Sequence, residues 1–108
     1  MRGPTKKRSN ASQNEDEAAL FQALALFETP FEAGRFLKDL ATPAEIEAFA
    51  ERWRIARLLS EGGGSYREIA AETGASTTTI GRVARFLNDE NYGGYRAMLK
   101  KLNERFKG

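Results

Sequence analysis

The sequence predicts an all-α protein of six helices with a helix-turn-helix in its C-terminal half, and three observations carry that reading. Apolar residues recur at three- and four-residue spacing along the stretch from Ile46 to Leu59, and no stretch carries a strand signal. Helix starts are written three times in one grammar, a hydroxyl residue followed three positions later by glutamate: Thr29 with Glu32, Thr42 with Glu45, and Ser65 with Glu68. Finally, residues 65–87, SYREIAAETGASTTTIGRVARFL, read as two short helices joined by a tight turn at Gly74.

The chain has 108 residues, 41% of them hydrophobic, enough for one small domain. It holds no cysteine and no histidine, which excludes a disulfide framework, a zinc finger and nucleophilic chemistry built on those side chains. No phosphate-binding glycine loop stands in the right context, so the chain is not expected to be an enzyme, and no catalytic residue, metal ligand or cofactor is assigned. No apolar run approaches the ~20 residues of a membrane span, and the start lacks the apolar segment of a signal peptide. The expected setting is the cytoplasm, with no membrane partner. The net charge of +2 is unevenly placed: residues 1–14 carry +4, residues 15–64 carry −5 and residues 65–108 carry +3. Basic ends around an acidic middle suit a polyanion on one side, although such imbalance also arises on ordinary solvated faces.

Taken in order, residues 1–14 (MRGPTKKRSNASQN) are polar and basic and should be disordered, serving either as an arm laid on phosphates or as a solubilising tail. The first helix should begin at Asn14 or Glu15, where the acids at 15, 16 and 17 face the positive end of the helix dipole. From Ala18 to Phe27 it has almost no polar face. A helix apolar all round must be covered on most sides. A monomer of this size can scarcely do that, so a second copy of the chain is the expected cover. Thr29 then caps a short second helix, with Pro30 at its first position and Phe31, Phe36, Leu37 and Leu40 as its apolar residues. Thr42 caps a third, longer helix running to about Glu61, with Ile46, Phe49, Ala50, Trp53, Ala56 and Leu59 at core spacing. Gly62-Gly63-Gly64 ends it. Beyond the helix-turn-helix, residues 88–94 form a turn-rich connector. A last helix from Tyr95 to about Phe106 carries Tyr95, Met98, Leu99, Leu102 and Phe106 on one side.

Within residues 65–87, Ser65 caps the first short helix, Ile69 and Ala70 face inward, and the helix stops near Thr73-Gly74. Ser76 caps the second, in which Ile80 and Val83 are spaced for burial and Thr77, Thr78, Arg82 and Arg85 are left outward. In a helix-turn-helix the start of the second helix enters the major groove of double-stranded DNA, so Ser76, Thr77, Thr78 and Thr79 are candidate contacts. Threonine offers a hydroxyl to phosphates or base edges and a methyl to thymine, and the N-terminal amides can hold a phosphate. Arg82 and Arg85 can grip guanine or phosphate, and distance from the helix start favours phosphate for Arg85. Tyr66 and Arg67 are candidate backbone anchors on the preceding helix. Gly-linked helix pairs also occur in proteins that never meet DNA. Small Ala70 at the crossing, Gly74 in the turn and polar residues at the outward positions favour the DNA reading.

LATPAEIEAFAERWRIARLL, the glycine break and SYREIAAETGASTTTIGRVARFLN together resemble the Trp repressor family, in its compact YerC/YecD branch, over about residues 15–105. The resemblance implies a six-helix Trp repressor-like fold, an intertwined homodimer in which both chains share one core, and a transcriptional regulator on a two-fold operator. It also implies an effector site, because two arginines and a threonine hold the amino-acid co-repressor in the Trp repressor. The matching positions here, Thr42, Arg52 and Arg82, keep those residue types, although Arg52 equally reads as a plain surface arginine of the long helix. The surroundings of the ring differ: β-branched Val83 stands where the repressor has glycine. That argues against tryptophan and leaves a smaller effector, such as another amino acid, or none.

The expected organisation is thus a basic arm over residues 1–14 and one helical dimerisation and DNA-binding domain over 15–108, its helix-turn-helix at 65–87. The leading functional expectation is a sequence-specific dimeric transcriptional regulator, a repressor occupying a palindromic operator. One alternative is a DNA-binding module of replication or transposition, although such modules usually sit beside an ATPase or nuclease domain. Another is a helical protein–protein adaptor that docks through its apolar first helix.

Overall fold

The computed structural model describes residues 10–89 and 92–106. Among them there are six helices and no strand: α1 (Asn10–Leu24), α2 (Pro30–Leu40), α3 (Pro43–Ser60), α4 (Tyr66–Thr73), α5 (Thr77–Asn88) and α6 (Gly94–Phe106). The helices fall into two units, residues 1–41 and residues 42–108.

In the first unit α1 begins at Asn10, ahead of the expected Asn14 or Glu15. No glycine or proline interrupts residues 10–14, and Ala11 and Gln13 are good helix formers, so a helix already nucleated extends backward through them. Residues 10–14 therefore belong to the helix and not to the basic arm; the rest of that arm, 1–9, lies outside the described residues. The helix also ends earlier than its apolar run. Leu26 N–H bonds to Ala23 O at 3.1 Å and Phe27 N–H to Leu24 O at 3.4 Å, a tightened last turn that carries Leu26 and Phe27 off the helix.

Thr29 caps α2 as expected, accepting from Glu32 N–H at 3.2 Å. The expected reciprocal box does not close, because Glu32 Oε1 accepts from Glu28 N–H at 2.9 Å. Thr29 sits at φ −137°, against −72° at Thr42 and −73° at Ser65, where the boxes do close. The more extended cap presents a different amide to the glutamate. Phe27 meets Phe36 edge-on at 5.7 Å, and Arg35 lies 5.6 Å over the Phe31 ring. No residue of α1 or α2 is buried, and Phe21, Leu26 and Phe31 are 60%, 76% and 72% exposed.

In the second unit α5 packs against α3, α4 and α6. Ile55 and Ala56 of α3, Ile69 of α4, Ala75 of the turn and Ile80 and Val83 of α5 form the core cluster, edged by Trp53, Leu58, Leu59, Ala70 and Tyr95. The expected core stripe of α3 is right at Trp53, Ala56 and Leu59 but misses Ile55, which is fully buried. It also extends too far toward the N-terminus: Phe49 and Ala50 are exposed and Ile46 is half-buried. A three/four repeat marks a broad face, and only the C-terminal half of that face meets α4 and α5. On α6, Tyr95, Leu99 and Leu102 are half-buried, whereas Met98 is exposed and is not core; the side chain of Phe106 lies outside what is described. Tyr95 stacks on Trp53 with centroids 6.2 Å apart and 22° between planes. The Arg96 guanidinium donates to Asn88 Oδ1 at 2.6 Å, tying the start of α6 to the end of α5. No described helix is long and apolar enough to cross a membrane.

Candidate nucleic-acid interface

Local hydrogen bonds set the angle between α4 and α5. At the start of α4, Glu68 N–H donates to Ser65 Oγ at 3.1 Å and Ser65 N–H to Glu68 Oε1 at 2.8 Å, the expected capping box. At its end Gly74 adopts φ 80°, ψ −1°, and its N–H bonds to Ala70 O at 2.8 Å. A side chain would be strained in that left-handed conformation, so glycine is what the turn requires. Thr73 Oγ1 donates to Ile69 O at 2.8 Å and accepts from Ala75 N–H at 3.1 Å. Ala75, 8% exposed, fixes the turn to the core. Arg54 of α3 pairs with Glu72 of α4 at 3.2 Å across the surface.

The second helix of the pair is divided cleanly. Ile80, Val83, Ala84 and Leu87 are buried, while Thr77, Thr78, Arg82 and Arg85 are exposed, as the spacing predicts. Two of the candidate hydroxyls are already engaged. Ser76 Oγ accepts from Thr79 N–H at 3.1 Å, and the two hydroxyls bond to each other at 3.1 Å. Ser76 and Thr79 thus act first as the cap of α5, and the outward hydroxyls are those of Thr77 and Thr78. Tyr66, 45% exposed, stands at the first position of α4 with its ring beside Gly81, and Arg67 next to it is exposed.

Two features went unread in the sequence. The Arg82 guanidinium lies 4.5 Å over the Phe86 ring, with that of Arg85 at 6.0 Å, and Phe86 stacks on Tyr92 with centroids 6.3 Å apart and 10° between planes. The four-residue spacing of Arg82 and Phe86 on one helix face is the signal that announces the first contact. The same rings border an open groove of about 300 Å³ lined by Arg82, Val83, Phe86, Tyr92, Gly94 and Tyr95.

Of the three positions matched to an effector site, only Arg82 lines that groove. Thr42 is occupied as the cap of α3, accepting from Glu45 N–H at 3.1 Å. Arg52 is half-buried and lies 5.5 Å over the Phe49 ring. Val83 is 1% exposed, inside the core cluster.

A six-helix chain with a core-anchored α4–turn–α5 pair and a polar outer face on α5 defines an all-α helix-turn-helix protein. The chain belongs to the Trp repressor family: a family model described as Trp repressor protein matches residues 15–103. It is similar to YerC of Bacillus subtilis, itself uncharacterised, with 42% identity over 85 residues that cover 79% of this chain and 80% of the relative. That similarity assigns it to the YerC branch. Among solved structures it resembles a TrpR-like protein from Eubacterium eligens, with TM-score 0.77, 37% identity and coverage of 88% of this chain and 96% of the other. It also resembles a protein described as a candidate Trp repressor from Staphylococcus aureus, with TM-score 0.72, 35% identity and coverage of 88% and 89%.

Proposed function

We propose that this protein is a sequence-specific DNA-binding transcriptional regulator, a cytoplasmic repressor that occupies a palindromic operator as a homodimer. The observation that carries the reading is the outer face of α5, where Thr77, Thr78, Arg82 and Arg85 are exposed behind a turn held by capping hydrogen bonds. Membership of the Trp repressor family supports it. Thr77 and Thr78 would meet base edges or thymine methyls at the entry of α5 into the major groove. Arg82 and Arg85 would meet guanine or phosphate, and Tyr66 and Arg67 the backbone beside it. The second copy is argued from the first unit, whose large apolar side chains lie exposed. A two-fold dimer would set its two α5 helices about 34 Å apart, one turn of DNA.

Tryptophan is not the proposed effector. Val83 is packed in the core and the Thr42 hydroxyl is held by its cap, which supports binding without a co-repressor or with a small amino acid held by Arg52 and Arg82. Selection of bound sequences from a random duplex pool, with and without a panel of free amino acids, tests both points. A two-fold site is expected to emerge, unchanged by tryptophan; failure to enrich any sequence would sink the proposal. On that site Arg82→Ala and Thr78→Ala should each weaken binding by about 1–3 kcal/mol, the size of a good base contact, without changing the folded state. Affinity should fall steeply with salt, as phosphate contacts require. A salt-independent protein partner and no DNA binding would favour the adaptor reading instead.

A further inference from the structure

Among the described residues, Arg82 is supported by rings and pairs with no acid. Its guanidinium carbon is 4.5 Å from the centre of the Phe86 ring, and Phe86 is in turn stacked nearly parallel on Tyr92 at 6.3 Å. This arrangement differs from a salt bridge in one respect that matters for recognition. A guanidinium held over a ring is attracted by the ring's π face and needs no acceptor oxygen, so its N–H donors are not spent on a carboxylate. A carboxylate would have occupied those donors. Arginine also loses much rotamer freedom when it is ordered at an interface, so a side chain held in place beforehand binds at lower entropic cost.

Tyr92 makes the stack harder to attribute to folding alone. It is 86% exposed, yet its ring is 10° from parallel with Phe86. Its contribution to the buried core is therefore small, while its ring stacks on the one under Arg82. The Arg85 guanidinium, at 6.0 Å from the same ring, is at the outer limit of such a contact.

We propose that Phe86 and Tyr92 are positioning residues for DNA recognition: the Phe86 ring, braced by Tyr92, holds the Arg82 guanidinium ready for its phosphate or guanine. The inference rests on the reading of α5 as the DNA-contacting helix, and one set of measurements separates the two. Binding of the selected DNA site is measured for the full chain and for Arg82→Ala, Phe86→Leu, Tyr92→Leu, Tyr92→Phe and the pairs of Arg82→Ala with each leucine variant. Phe86→Leu and Tyr92→Leu are expected to weaken binding about 2- to 5-fold when Arg82 is present, the scale of an exposed cation–π contact, and to have no effect once Arg82 is gone. Tyr92→Phe, which keeps the ring, should bind as the unmodified chain does. Equal weakening in both backgrounds would assign the rings to packing only and overturn the proposal, as would no weakening or a gain in affinity. If Phe86→Leu unfolds, the exposed Tyr92 carries the test alone. Unchanged binding in Arg82→Ala would overturn the assignment of Arg82 itself, and with it this inference.

Discussion

Gly81 and Gly74 look alike in the sequence and answer different constraints. Gly74 is at φ 80°, and Gly81 is not among the glycines with positive φ. A β-carbon added at Gly81 would lie 4.0 Å from the nearest Tyr66 ring carbon, an ordinary contact, and no other contact within 4 Å is made to it among the described residues. Glycine inside a helix is less favourable than alanine by about 0.5–1 kcal/mol. Gly81→Ala should therefore stabilise the free protein by about that amount in urea denaturation, and a loss of stability would mean that Tyr66 lies closer than it does here. Gly74→Ala forces a β-carbon into the left-handed region and should cost about 1–2 kcal/mol. The outward side of α5 was legible at this scale, because burial of Ile80 and Val83 at helical spacing leaves Thr77, Thr78, Arg82 and Arg85 nowhere else to point. The pairing of hydroxyls was not. Whether Ser76 and Thr79 bond to each other or face outward depends on rotamers, which the spacing of residues leaves open.

At the scale of elements, α4 has only 8 residues, well short of the length at which an isolated helix persists in water. It stands because its ends are tied: a reciprocal box at Ser65 and Glu68, and the Gly74 N–H on Ala70 O. Ser65→Ala removes one acceptor from that box and should lower stability by about 1 kcal/mol. Amide exchange should quicken first in α4, ahead of α3; uniform acceleration across both helices would show instead that α4 does not open on its own. Helix starts were legible because a cap is a contact between residues three apart, and the four predicted caps, Thr29, Thr42, Ser65 and Ser76, all form. The exception, Glu32 reaching Glu28 instead of Thr29, turns on a backbone angle and not on residue identity. The face of α3 was only half legible. Its stripe has the right period, but the portion that meets α4 and α5 is decided by where those helices cross, so Ile55 is buried and Phe49 is not.

For the whole molecule, the distribution of burial is the deciding quantity. The buried apolar residues among those described are Ile55, Ala56, Ile69, Ala75, Ile80, Val83, Ala84 and Leu87. All lie in residues 42–108 and three are alanines, a small core for a chain of this length. Phe21, Leu24, Leu26, Phe31 and Leu40 of residues 10–41 are exposed, and it is these large apolar groups that the proposed second copy would cover. The sequence raised the same expectation, since a first helix with almost no polar face needs a cover that a monomer of this size can scarcely supply. If that cover is a second copy, folding and association are one equilibrium, and the thermal midpoint must rise with protein concentration. Phe21→Glu combined with Phe31→Glu places charges where the partner would bury rings. The doubly substituted chain should sediment as a monomer, melt at a lower temperature with its concentration dependence gone, and lose the preference for a two-fold site over a half-site. A chain that sediments as a monomer without substitution, with a midpoint independent of concentration, would remove the dimer and leave α5 to read a single half-site.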